Sequence, residues 1–318
     1  MKSIRIVWLS GIICAGVMLQ GCVPGANGPF SLYGTDAPID DPLYTDVHFT
    51  IKDIQINGES IEEFDGPMTL NISQLRNGIT TELIDAEVST GEADDITIVF
   101  DLAQDAEGNA PGCYIATSYG RNIDLGNAQG GDLAVRLLKD LEIRENEPLN
   151  LVIDFDLRKS IRNSQPGDES ELVLVDKADL EKAFRIVREE ETGTVSGQLT
   201  NQVFNREFVN HFNIYAYRKG TFDKNSEQYD TDGDGIAFEN AVTSARVAAF
   251  SGATQPFSLH FLEEGEYELA FEAYEVLELS SLAVGMLQPT GQTDLVIPVT
   301  VSAGQTAQVA VSGDAVVQ

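Results

Sequence analysis

Apolar and polar positions alternate along most of the chain with the period of two that puts successive side chains on opposite faces of a strand. The pattern is cleanest over residues 149–161. There Leu149, Leu151, Ile153, Phe155 and Leu157 share one side, Asn150, Asp154, Asp156 and Arg158 the other, and Val152 is the one apolar residue on the polar side. This predicts a half-buried strand with a charged outer face. In residues 46–56 the apolar set runs Val47, Phe49, Ile51 and then shifts to Ile54 and Ile56, which predicts a bulge at Lys52 and Asp53. Asn57-Gly58 signals a tight turn, and Met68, Leu70 and Ile72 resume the alternation. Ile96, Ile98, Phe100 and Leu102 give a further strand, as do Leu133, Val135 and Leu137.

The same alternation returns after residue 193. Phe212, Ile214 and Ala216 interleave with Asn213, Tyr215 and Tyr217, while Phe257, Leu259, Phe261 and Tyr267, Leu269, Phe271 flank a turn at residues 263–266. Residues 295–301 and 306–311 read as closing strands around Ser302-Ala303-Gly304. Residues 176–188 stay open between a short helix, with Leu180, Phe184 and Val187 near one face, and a strand over 184–187. Glu189-Glu190-Glu191-Thr192-Gly193 is polar and ends in glycine, so the domain boundary is placed there. Many short strands separated by turn residues, with no long amphipathic helix, predict an all-β fold of two consecutive β-sandwich domains over residues 32–190 and 193–318.

The N-terminus changes this picture. Lys2 and Arg5 precede an apolar run from Ile6 to Leu19 that is short for a membrane span, and Leu19-Gln20-Gly21-Cys22 resembles a bacterial lipobox. Residues 1–21 are therefore expected to be a lipoprotein signal peptide, Cys22 the lipidated residue, and 22–31, rich in Pro, Gly and Asn, a flexible tether. The alternative is an ordinary secretory signal with a chance cysteine. Val23 stands where an inner-membrane retention signal usually has Asp, which points to lipid anchoring in the outer membrane, on the periplasmic face or the cell surface. With Cys22 acylated and Cys14 removed, Cys113 is the one free thiol, and its apolar surroundings predict a buried, inert side chain.

The chain carries 51 acidic and 20 basic residues, a net charge of −31, and grows more acidic once Lys2 and Arg5 leave. Such a surface repels phosphate backbones and anionic headgroups, which argues against nucleic-acid binding and electrostatic membrane docking.

Asp36-Ala37-Pro38 with the strand after Val47, the strand from Ile96 to Leu102, and above all Asp154-Phe155-Asp156-Leu157-Arg158-Lys159-Ser160-Ile161 together resemble the bacterial lipoprotein family defined by domain of unknown function 4382. The resemblance covers about residues 32–187 and implies an exported all-β domain with no established activity. The QDAEGNAPG stretch after Leu102 departs from the family pattern and puts strand pairing there in question. Val195-Ser196-Gly197 and the series Phe257, Leu259, Leu262, Gly265, Tyr267, Leu269 resemble transthyretin-like or carboxypeptidase-regulatory-like sandwiches, which implies a fold and no activity.

Three groups of residues are candidates for chemistry. Asp230, Asp232 and Asp234, followed by Gly235, place alternate carboxylates in a tight loop that suits calcium, although Ala241 occupies the position where an EF-hand has its bidentate acid; the bland alternative is a solvated hairpin loop. Tyr215 and Tyr217 share a strand face and suit stacking on a sugar or peptide ligand, with packing under a loop or against the other domain as the alternative. Asp154 and Asp156 lie about 7 Å apart on one strand face, within glycosidase range, but Arg158 on the same face is placed to neutralise them. His48, His211 and His260 show no metal-binding spacing, and no nucleophile elbow is present. The resulting expectation is a non-catalytic binding or structural module at the cell envelope, with an unidentified envelope or extracellular partner. A calcium-dependent adhesion component and an envelope hydrolase using acidic residues are the alternatives.

Overall fold

The computed structural model describes residues 25–39, 44, 46–116, 122–126, 131–165, 168–200, 209, 211–228, 236–247, 254–276 and 281–317. The first domain contains β1 (Asn27–Ala37), β2 (Val47–Ile56), β3 (Glu59–Ser60), β4 (Met68–Asn71), β5 (Thr81–Ser89), β6 (Gly91–Asp101), β7 (Tyr114–Ala116), β8 (Asn122–Asp124), β9 (Asp132–Ile143) and β10 (Leu149–Asp156). It closes with the single turn α1 (Leu157–Ser160), the hairpin β11 (Ile161–Gln165) and β12 (Asp168–Leu174), α2 (Lys177–Ala183) and β13 (Phe184–Arg188). One sheet has the order β13-β10-β1-β5, and the facing sheet β8-β7-β2-β6-β9 with β3 and β4 also on β2. β1 and β10 are parallel, pairing Phe30 with Leu149 and Asp36 with Phe155.

The two sheets meet on four phenylalanines, Phe49 of β2 and Phe100 of β6 against Phe155 of β10 and Phe184 of β13. Phe155 and Phe184 cross edge to face at 5.1 Å and Phe49 and Phe100 at 5.5 Å. Such ring pairs add about 0.5–1.5 kcal/mol each beyond the area they bury.

The second domain contains β14 (Thr192–Thr200), β15 (His211–Arg218), α3 (Lys224–Glu227), β16 (Thr243–Val247), β17 (Thr254–Glu263), β18 (Gly265–Val276), β19 (Ser281–Pro289), β20 (Val296–Val301), β21 (Thr306–Val311) and β22 (Gly313–Val317). The sheet β17-β14-β21 packs on β16-β15-β18-β19-β22, with β20 paired to β18. Val195, Leu199, Phe257 and Leu259 from one sheet and Phe212, Ile214, Leu269 and Phe271 from the other fill this core. The fold is all-β with two sandwich-like domains.

Local signals in the sequence account for much of this. The β2–β6 register shifts between Ile51 and Asp53, the site of the predicted bulge. Asn57 and Gly58 both take positive φ, 51° and 80°, as a tight hairpin turn requires. The loop after Leu102 leaves the pairing intact, since β6 pairs β2 and β9, and Asp105 Oδ1 accepts the Glu107 and Asn109 N–H groups at 3.0 and 2.7 Å to fold the loop on itself.

Two expectations are corrected and one open alternative is decided. The strand at 149–161 ends at Asp156, whose side chain accepts the Lys159 N–H and caps α1; an Asp at this position offers the backbone a turn in place of the next ladder bond. β1 begins at Asn27, inside the stretch assigned to the tether, because Phe30 alternates with Leu32 into the core. Residues 176–188 hold a helix and a strand in succession: Asp176 caps α2 by accepting the Ala178 and Asp179 N–H groups, and β13 then pairs with β10.

Candidate functional site

The polar face of β10 is buried. Asp154 is 3% exposed, Asp156 2% and Arg158 4%, because the second domain covers them. Asp154 Oδ2 accepts Arg185 Nη2 at 2.7 Å and Thr243 Oγ1 of β16 at 3.0 Å. Arg158 Nη2 donates to Asp156 Oδ2 at 2.8 Å, and Nη1 donates across the seam to the carbonyls of Ala237 and Phe238 at 3.0 and 2.6 Å. Its guanidinium also lies 5.6 Å from the Tyr215 ring centroid, within cation–π range. Lys159 Nζ donates to the Ala241 carbonyl at 2.6 Å, and Arg185 Nη1 to that of Phe261 at 2.6 Å. The charged outer face expected of this strand is thus a seam between domains.

The second domain reaches back. Ile236 is part of the first domain's hydrophobic core, and Arg246 of β16 donates to the Ile39 carbonyl. Lys139 meets Glu263 at 3.1 Å, and a Cβ at Gly78, which has φ 77°, would collide with His260. Phe238 and Phe261 both have φ 54°, a region costly for a bulky side chain. Theirs are two of the carbonyls that the first domain's arginines hold, so each residue at positive φ presents its oxygen to a guanidinium.

Burial governs the electrostatics. It pushes the Asp156 carboxyl above the usual carboxylate range against the opposing pull of Arg158 and Lys159. Lys159, desolvated at the same place, falls to about 8. Asp36, at the end of β1, is raised well above its ordinary value by burial and then by Asp154 and Asp156, and neither of its oxygens has a hydrogen-bond partner.

Tyr215 and Tyr217 are fully buried. Tyr215 stacks on Phe238 at 3.9 Å and donates to Glu272 Oε2 at 3.1 Å; Tyr217 donates to Glu227 Oε2 at 2.9 Å and meets Phe222 at 5.1 Å. Their strand β15 buries both faces, one on the sandwich core and the other under residues 236–241, so packing claims the rings and leaves no open face for a ligand. Asp154 and Asp156 are likewise closed off from any substrate. Cys22 and the loop Asp230, Asp232, Asp234 lie outside the described residues.

Cys113 is buried with its thiol pushed up to about 12. His48 stacks on Tyr114 at 4.6 Å, and burial lowers it and the other two histidines. No three His, Cys, Asp or Glu among the described residues are grouped to hold a metal.

A cleft of about 510 Å³ opens at the seam, bordered by Lys139, Lys159, Lys182, Arg185 and Arg218. Each of these cations is bound within the chain, to Glu263, Ala241, Asp179, Asp154 and Glu263 in that order. A second cleft of about 510 Å³, bordered by Glu59, Glu62, Glu63, Glu87 and Glu92, belongs to the first domain alone. Sequence reasoning missed Asp36, Arg185, Thr243 and Ile236. The one signal was Asp36 itself, the single charge near the end of an otherwise uncharged strand.

Residues 27–174 match the family model described as Domain of unknown function (DUF4382). No curated protein sequence matches the chain. Among solved structures, the Bacillus anthracis TIE protein is 10% identical over 90% of this chain and 34% of its own, with a TM-score of 0.17, so this chain spans about a third of its length. The minor pilin GBS52 of Streptococcus agalactiae is 10% identical over 91% of this chain and 97% of its own, with a TM-score of 0.22. A putative cell adhesion protein from Bacteroides ovatus is 10% identical over 90% and 92%, with a TM-score of 0.20. These scores lie below the level of a shared fold, and nothing is carried over from them. No helix among the described residues is long and apolar enough to cross a membrane.

Proposed function

We propose that the chain is a non-catalytic binding or structural module of the cell envelope, held at the outer membrane by lipid on Cys22, its second domain a transthyretin-like sandwich. The observation that carries this reading is the use made of residues 154–159. The acid pair and the cations beside it, the best candidates for catalysis in the sequence, join one domain to the other. Two sandwiches tied by buried charge on a short lipid tether suit a protein that presents a surface. Cys22→Ala is expected to abolish incorporation of radiolabelled fatty acid and to move the protein from the membrane to the soluble fraction. Retention in the membrane would defeat the anchoring reading, and hydrolysis of an envelope polysaccharide lost on Asp154→Asn would defeat the non-catalytic one.

The second reading is a calcium-dependent adhesion component. It is favoured by the segment on the C-terminal side of the acidic loop: Ile236 lies in the first domain's core and Phe238 under Arg158, so the loop's exit is anchored at the seam. Calcium held by Asp230, Asp232 and Asp234 would then stabilise the docked state by mass action. Calorimetry and thermal unfolding at about millimolar calcium are expected to show bound heat and a higher Tm, both lost in the Asp232→Asn variant. An unchanged Tm and no heat would remove calcium from the account.

A further inference from the structure

Asp36 stands where β1 and β16 meet, and its neighbourhood sets it apart from the other seam acids. Asp154 has Arg185 and Thr243 on Oδ2 and leaves only Oδ1 without a partner, and Asp156 has Arg158; Asp36 has no donor on either oxygen although it is only 7% exposed. Its own N–H goes to the Leu75 carbonyl, and the adjacent Thr35 hydroxyl to Leu75 and Ile79. The charged groups around it are Asp154 and Asp156 on β10, Arg246 on β16 and Arg76 in the loop after β4. Arg246 is engaged by the Ile39 carbonyl, and the cations nearest the other two acids, Arg158, Lys159 and Arg185, are bonded across the seam. A third carboxylate therefore enters a water-poor space beside two that already hold their partners.

We propose that Asp36 makes the seam a proton-operated joint: with its carboxyl neutral the domains are clamped together, and with it ionised they part more readily. Linkage fixes the sign. When the domains part, Asp36 regains water and an ordinary value near 3.8, whereas docked it is raised. The clamping contributed by its proton is complete below the ordinary value and is lost as pH rises through the docked one. Between those limits the opening equilibrium grows by up to about tenfold per pH unit. Asp156, also raised, acts in the same direction. His211 on β15, His260 on β17 and Lys159 are lowered and act in the opposite one. The difference between the wild type and Asp36→Asn isolates the proposed group from all four.

Hydrogen–deuterium exchange of residues 236–247, measured on the full mature chain from about pH 5 to 8 and corrected for intrinsic exchange, reads the joint directly. Wild-type protection of this segment is expected to fall further with rising pH than that of Asp36→Asn, which keeps only the weaker pH dependence of the other four groups. An Asp36→Asn protein that follows the wild-type curve overturns the proposal. A second measurement needs no variant: the ¹³C shift of the Asp36 carboxyl in the wild type is expected to titrate above the normal carboxylate range, and a midpoint within that range also overturns it.

Discussion

Arg158→Ala is expected to destabilise the protein by about 3–5 kcal/mol, the range for breaking a buried ion pair and leaving its partner unsatisfied. Arg158 is 4% exposed and makes three kinds of contact at once. It neutralises Asp156, donates to the carbonyls of Ala237 and Phe238, and lies over Tyr215. Truncation removes all of these and frees the strained Phe238 turn from the donor that fixes it. Lys159 cannot take over, since its nitrogen is 3.8 Å from Asp156 and already serves Ala241. Arg158→Lys should recover only part of the loss, because an ammonium lacks the planar fork that reaches a carboxylate and two carbonyls together. Urea unfolding followed by far-UV circular dichroism is the measurement, and the variant should separate the unfolding of the two domains. Arg144→Ala is the control. Arg144 is exposed and paired with Glu142 and Glu147 on the surface, so its removal should leave stability close to that of the wild type. An Arg158→Ala loss no larger than the control's would show that the seam is not held by this residue.

The sandwiches were legible because their signals are local. Alternation, the Lys52 bulge and the Asn57-Gly58 turn each depend on a few neighbouring residues. The seam was not, because a period of two separates the faces of a strand without saying what covers each. The face bearing Asp154, Asp156 and Arg158 looks solvated by composition; its cover arrives some 80 residues later in the chain, at Ala237, Phe238 and Ala241. Tyr215 and Tyr217 show the same ambiguity from the other side. An aromatic pair on a strand's second face fits a ligand platform as well as a domain contact, and only the placement of residues 236–241 decides for packing. Residues 176–188 carry a further lesson: the helix that Asp176 caps is short enough for the following strand to share the same apolar pattern.

Phe155→Ala is expected to cost about 3–5 kcal/mol, as large aromatic truncations in cores do. The ring has no exposure and touches all three partners of its cluster, with centroids 5.1 Å from Phe184, 6.4 Å from Phe100 and 6.5 Å from Phe49. β10 lies between β1 and β13, and Gly34 of β1 already brings its backbone close, since a Cβ there would stand 3.0 Å from the Phe155 ring. Little is free to collapse into the space. Its neighbours in the chain, Asp154 and Asp156, are the seam acids, so relaxation of β10 into the cavity shifts both. Phe49→Ala empties the same core from the opposite sheet and leaves that strand in place. The two losses should therefore combine differently with Arg158→Ala: additive within about 0.5 kcal/mol for Phe49→Ala, and coupled by more than that for Phe155→Ala. Equal additivity for both would mean that β10 transmits nothing from the core to the seam, and that the motif's apolar and charged faces act independently.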